Sequence, residues 1–380
     1  MSRIKLIACG TVAALGLGAG SAAALPDDLK STLDAVHSEG MPGVFAEVRD
    51  GRTVWRGAAG VADLATGRPV TADMRHRVGS VTKTFTAAAV LLQVEQGRLR
   101  LDAPIGDYLP HLVPGERGRA ITVRMLINHT SGLADYLTIA FPSLAEMQPK
   151  SLDDNRFRRF RANELIAMGV NAPPAGEPGS TPGVYSNTNY LLLGQLLRKV
   201  TGRPAEEVIT RTVIDRAGLR HTEFPDGTRI RGPHSRMYES LFGAIDPPRD
   251  YSVYDMSWVS TGAALVTTMA DLNHFYAQLL SGKIVKPGSL AQMQRTVPVI
   301  SLEGNQIDYG LGLHKVTTSC GTFWGHDGSV WGAQALSLTS ADGRRQLSYA
   351  LNLAHWTKLD RLDQALESFT QKALCAGRIR

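Results

Sequence analysis

The spacing of apolar and polar positions divides the chain into two kinds of territory. Near the start, Leu29, Leu33 and Val36 fall on one helical face of a segment from Asp27 to Glu39 that stops at Gly40. The stretch GVFAEVRDGRTVWRGAAG follows and reads as two strands around the Asp50-Gly51 turn. Near the end, GAQALSLTSADGRRQLSYALNLA repeats the device around Asp342-Gly343. A helix from Arg361 to Cys375 then carries Leu362, Ala365, Phe369 and Leu374. Strands distant in sequence can share one antiparallel sheet. The pattern therefore predicts a single sheet built from both ends, covered by both terminal helices.

The middle is different. Helical periods occur over 80–97, 161–169, 188–201 and 204–217, joined by Pro/Gly loops such as NAPPAGEPGSTPG, and another follows over 270–281. The expected fold class is α+β, an α/β sandwich. Its antiparallel sheet is flanked by the N- and C-terminal helices, with a mostly helical lobe inserted. The α/β lobe comprises 25–79 and 257–380, and the helical lobe 80–256. An interface between two lobes is a favoured place for a pocket.

The first helix of the middle raises a chemical question. In RVGSVTKTFTAAAVLLQVEQG, Ser80 and Lys83 are followed by Phe85, Ala88, Ala89, Leu91, Leu92 and Val94, apolar almost all round. Such a helix is buried, so its first turn sits at the floor of something. Residues i and i+3 share a helix face, and free N–H groups at a helix start favour developing negative charge. A lysine stripped of water can be neutral and take a hydroxyl proton. Two further stretches could complete such a site. Tyr185 and Asn187, in PGVYSNTNYLLLG, end a loop and open a helix, where a phenol can shuttle a proton and an amide can orient a neighbour. His326, Gly328 and Ser329, in CGTFWGHDGSVWG, lie on a strand-like run. Glycine inside a strand often marks close approach of a ligand or another backbone, and the Ser329 amide could join that of Ser80 as an oxyanion hole.

Composition narrows the function more than it defines it. The 380 residues are 43% hydrophobic and 20% charged, as in ordinary globular proteins. The net charge of +6 is scattered. The densest basic run, Arg156, Arg158, Arg159 and Arg161, reads as a solvated face rather than a nucleic-acid stripe. The ten histidines show no metal-ligand spacing, H-E-x-x-H and G-x-S-x-G are absent, and no cofactor is implied. Arg3 and Lys5 precede an apolar run from Leu6 to about Leu25 with an A-x-A site at Ala22 to Ala24. That is an export leader over residues 1–24, giving a secreted or periplasmic protein without stable membrane association; an uncleaved anchor is the alternative. Of the cysteines left after cleavage, Cys320 and Cys375 suggest one disulfide, with two buried thiols as the alternative.

S-x-x-K at Ser80–Lys83, Y-x-N at Tyr185–Asn187 and H-x-G at His326–Gly328 occur in that order. On these motifs, and on LDAPIGDYLP, ITVRMLINHTSGL and YGLGL, the chain resembles the serine β-lactamase and penicillin-binding superfamily. The variants point to the branch of class C β-lactamases and D-alanyl-D-alanine carboxypeptidases, and look most like secreted actinomycete carboxypeptidases. The resemblance implies a β-lactamase/transpeptidase-like fold and a serine hydrolase working through an acyl-enzyme. It makes Ser80 the nucleophile and gives Lys83 and Tyr185 the acid and base work. It makes Asn187, His326, Gly328 and Ser329 substrate-binding, with no metal and no cofactor. The expected substrate is a small molecule or peptide. A carboxypeptidase-like, penicillin-binding enzyme stands first, with an esterase or D-amino-acid amidase, or a β-lactamase, as alternatives, and a non-catalytic binding protein behind them. Two departures stand out. Asp327 occupies a position usually held by Thr or another small residue, and His314-Lys315 stands where the carboxypeptidases place an Arg after YGLGL. Both count against a substrate with a terminal carboxylate.

Overall fold

Val44 pairs with Leu351 and Asp50 with Arg345, so the first long strand and the last run antiparallel, side by side. This is seen in a computed structural model that describes residues 28–357 and 359–375. The leader expected over residues 1–24 lies outside them. Ten strands form the main sheet: β1 Gly43–Asp50, β2 Thr53–Asp63, β3 Arg68–Pro69, β4 Gly183–Val184, β5 Val297–Ile300, β6 Gln306–Tyr309, β7 His314–Thr318, β8 Gly321–Val330, β9 Ala333–Ser340 and β10 Arg345–Leu351. Their spatial order is β3-β2-β1-β10-β9-β8-β7-β6-β5-β4. Both predicted hairpins are present, and both termini feed the same sheet. The short β4, from the helical middle, adds itself parallel to β5 at the far edge.

Helix α1 (Leu29–Ser38) buries Leu29, Leu33 and Val36, the face its spacing predicts. The C-terminal helix (Leu359–Cys375) buries Leu362, Leu366 and Phe369 in the same apolar cluster, against one side of the sheet. A disulfide joins Cys320, before β8, to Cys375.

The other side of the sheet meets a helix over Met269–Leu280. There the Asn273 amide donates to the Glu47 carbonyl at 3.0 Å and accepts from Ser348 Oγ at 2.8 Å. Next inward is the helix Thr82–Glu95, here α2, in which every residue from Thr82 to Gln93 is buried. Phe85 stacks on Phe275 at 3.7 Å between ring centres. Ser80 itself lies just ahead of α2, in a 3-10 turn over Gly79–Val81. The segment expected to be helical over 204–217 is α-helical only over Ala205–Ile209 and continues as a π-helical turn over Thr210–Ile214. No helix among the described residues is long and apolar enough to cross a membrane.

Candidate active site

Three sequence-predicted residues, Ser80, Tyr185 and Asn187, converge on the amine of a fourth, Lys83. Lys83, fully buried, places its Nζ 3.0 Å from Ser80 Oγ, 2.8 Å from Asn187 Oδ1 and 3.1 Å from the Gly262 carbonyl. Each partner is held by other groups. Asn187 opens the helix Asn187–Thr201, here α3, and both its backbone N–H and its Nδ2 donate to Asp135 Oδ2, at 2.6 and 2.9 Å. With Nδ2 engaged there, the amide oxygen must face Lys83. Gly262 lies in the short helix Ser260–Ala263. That helix is pinned by Thr86 Oγ1 donating to the Thr261 carbonyl (2.7 Å) and Thr261 Oγ1 donating to the Tyr190 carbonyl (2.8 Å).

This arrangement fixes where a neutral lysine points its lone pair. An amine has two N–H groups and one acceptor site. Asn187 Oδ1 and the Gly262 oxygen can only accept, so they take the two N–H groups. The Ser80 hydroxyl alone has a proton to give. Burial brings the Lys83 pKa down to about 7, against the opposing charges of Asp135 and Asp327. The neutral form is thus available near neutral pH.

Tyr185 stands over the same amine, its ring centre 4.9 Å from Nζ. Its ring stacks on buried His129 at 4.0 Å, and His129 Nδ1 accepts from the Ser186 N–H at 3.1 Å. Burial pushes the Tyr185 phenol well above its ordinary range, and the neighbouring Ser80 hydroxyl works against that rise. Burial thus favours a neutral amine on Lys83 and a protonated phenol on Tyr185.

Strand β8 closes the opposite wall. A Cβ added to Gly328 would sit 2.1 Å from the Val78 carbonyl oxygen and 2.5 Å from Ser80 N, and one added to Gly79 would sit 2.5 Å from Ser329 N. Gly79 also has φ +52°, which favours glycine. The two bare backbones interleave, and this brings the amides of Ser80 and Ser329 together. His326 is buried on β8, its Nε2 3.0 Å from the Tyr309 hydroxyl. Asp327 is 62% exposed while His326 is 1% exposed, the alternation a strand imposes. Its carboxylate lies 3.1 Å from His314 Nδ1. Lys315 extends toward Asp308, 3.8 Å away.

All seven predicted site residues thus fall in one place. The sequence reading missed Asp135, His129, Tyr309 and the Gly262 carbonyl. His129 lies within the NHTSGL stretch and Asp135 just after it, so that quoted run was a signal. Gly262 acts through its backbone and left none.

The family model described as Beta-lactamase covers residues 29–371, and the chain belongs to that family of serine hydrolases. A solved structure of a D-stereospecific amidohydrolase from Streptomyces sp. is similar over 90% of this chain and 98% of its own, with 35% identity and a TM-score of 0.78. A D-aminopeptidase of Cereibacter sphaeroides is 28% identical over 329 residues, which is 86% of this chain and 60% of that protein. Esterase EstB of Burkholderia gladioli is 33% identical over 205 residues, 52% of each chain. The chain therefore spans less than two thirds of the length of these last two relatives.

Proposed function

We propose that this protein is an exported serine amidase that hydrolyses amides or esters of D-amino acids through an acyl-enzyme on Ser80. The observation that carries the acyl transfer is the Lys83 amine, whose two acceptor-only partners leave its lone pair for the Ser80 hydroxyl. Lys83 takes the Ser80 proton as Oγ attacks the substrate carbonyl carbon. The resulting oxyanion is received by the amides of Ser80 and Ser329. As the C–N or C–O bond breaks, Lys83 returns the proton to the leaving group, with Tyr185 positioned to relay it. Water, activated by the same pair, then releases the acid and restores Ser80.

The choice of substrate rests on charge. Asp327 stands exposed on the strand that carries Ser329, with His314 turned to its carboxylate and Lys315 turned to Asp308. A terminal carboxylate would meet a negative group, and the neighbouring Lys315 is turned toward Asp308 instead. A neutral amide or ester leaving group meets no such penalty. The D configuration is supported by the similarity to the D-stereospecific amidohydrolase of Streptomyces sp. and the D-aminopeptidase of Cereibacter sphaeroides. Placement outside the cytoplasm is supported by the leader-like first 24 residues.

The test is a substrate panel: D- and L-phenylalanine amide, a D-amino-acid p-nitrophenyl ester, an acylated D-Ala-D-Ala peptide and benzylpenicillin. Turnover of the D-amide and D-ester ahead of the peptide supports the reading. Release of D-Ala as the fastest reaction, or a lasting penicilloyl adduct with no amidase activity, replaces it with a D-alanyl-D-alanine carboxypeptidase, and rapid loss of the penicillin with a β-lactamase.

A further inference from the structure

Past Gly325, the strand that carries the Ser329 amide has a sheet neighbour on one side only. Strand β7 pairs with β8 as far as His314 opposite Gly325. From His326 to Val330, β8 keeps β9 on one side and offers its other edge to the nucleophile turn. A strand end held by one neighbour can tilt about it, so the place of the Ser329 amide depends on what holds the turn that follows. Ser329 pairs with Gln334 and Val330 with Ala333, which leaves Trp331 and Gly332 as a two-residue turn. Gly332 has φ +77°, and a Cβ there would lie 2.5 Å from the Met237 carbonyl oxygen. The turn is thus pressed against the segment that leads into Glu239.

Glu239 is fully buried, and its carboxylate gathers three donors. The Gly332 N–H donates to Oε2 at 2.9 Å and the Leu241 N–H to Oε1 at 2.7 Å. His355 Nδ1 lies 3.0 and 3.1 Å from the two oxygens. An ionised carboxylate only accepts, so His355 Nδ1 carries a proton. Hydrogen bonds to a charged acceptor are roughly twice as strong as neutral ones. The backbone of Glu239 is itself seated on the sheet. Strand Tyr238–Glu239 runs parallel to Leu353–Ala354, which continues from the end of β10. The segments Glu239 gathers are strained: Leu241, Phe242 and His355 have φ of +45°, +53° and +50°. Non-glycine residues keep such conformations only where their surroundings over-determine them, and such strain clusters at functional sites.

We propose that Glu239 is a positioning residue for the oxyanion hole: by holding the Gly332 N–H it fixes the end of β8 and sets the Ser329 amide beside that of Ser80. This role rests on the acyl transfer at Ser80 proposed above and is independent of which acyl group is transferred. Glu239 acts through β8 and stays out of the cleft. The hole meets a full negative charge only in the tetrahedral adduct, so a displaced Ser329 amide costs the transition state more than the bound substrate.

The test uses the full chain, with calorimetric binding of phenylboronic acid and with kcat and KM for p-nitrophenyl acetate. The boronate forms a tetrahedral adduct on a serine oxygen and places an oxygen in the oxyanion hole. Glu239→Leu fills the space and accepts nothing. With unchanged circular dichroism, it should lose about tenfold or more in boronate affinity and in kcat, with KM within about twofold. Glu239→Gln, whose amide oxygen can still take the Gly332 N–H, should recover much of both. His355→Asn, which removes a different partner of the same carboxylate, should keep kcat within about twofold. A folded Glu239→Leu with boronate affinity and kcat like the parent overturns the role, as does an equal loss in His355→Asn. Should Glu239→Leu fail to fold, Glu239→Met carries the same comparison. Boronate binding that persists in Ser80→Ala overturns the acyl-transfer reading and this role with it. Binding lost in Ser80→Ala and unchanged in Glu239→Leu overturns the role of Glu239 alone.

Discussion

At the scale of single residues, the account turns on which groups share protons. Below pH 7 the Lys83 ammonium donates to all three neighbours and cannot accept from Ser80. The rate constant kcat/KM should therefore rise with pH through an inflection near 7, falling about tenfold per unit on the acid side. A pH–rate profile on a D-amino-acid amide checks this. Linkage gives a second reading of the same group. The folded pKa is depressed from 10.5 to about 7, so between those values the unfolded chain holds a proton that the native state lacks. Stability contributed by this site should rise with pH across that window, by about 1.4 kcal/mol per unit. Lys83→Met should remove that slope in denaturant titrations at several pH values. Asp135→Asn frees Asn187 to turn, and should lower kcat by roughly tenfold to a hundredfold while leaving KM nearly unchanged. Ser80, Lys83, Tyr185, Asn187 and His326 were legible because their three motifs, each weak alone, occur together in the order of a known superfamily. Asp135 and the Gly262 carbonyl were not. One is a common loop residue and the other a backbone atom, and only the packing of three distant segments gives them a role.

At the scale of elements, the decisive contact is between a strand and a turn. A methyl group at position 328 would strike backbone atoms that cannot move aside, the Val78 carbonyl and Ser80 N. Gly328→Ala should push β8 off the nucleophile turn. Activity should fall by at least about a hundredfold, with a stability loss of about 1–3 kcal/mol measured by urea unfolding. The helical and strand periods predicted the terminal hairpins, α1, α2 and α3 well, because each buries one clear face or is buried all round. They did not predict the π-helical turn over Thr210–Ile214 or the 3-10 turn that lifts Ser80 ahead of α2. Those departures come from hydrogen-bond choices within a turn, which apolar spacing does not record.

At the scale of the whole molecule, one sheet drawn from both ends of the chain sets the nucleophile turn against β8. The Cys320–Cys375 disulfide closes a sequence separation of 55 between the start of β8 and the end of the C-terminal helix. Replacing both cysteines with serine should lower stability by about 2–4 kcal/mol and leave kcat at the folded temperature unchanged, since neither lies in the site. Thermal melts with parallel assays check both halves. The sheet's two-ended origin was visible in the sequence as matched hairpins. Its far edge, β4 pairing with β5, was not, because two-residue strands carry no period. The central claim is that Ser80 is acylated by a D-amino-acyl substrate. Acid-quenched intact mass on mixing with a D-amino-acid p-nitrophenyl ester, followed by peptide mapping, tests it most directly. The account predicts a transient acyl adduct on the peptide holding Ser80, absent in Ser80→Ala together with turnover. An unmodified parent at steady state, with the Ser80→Ala variant equally active, would contradict it.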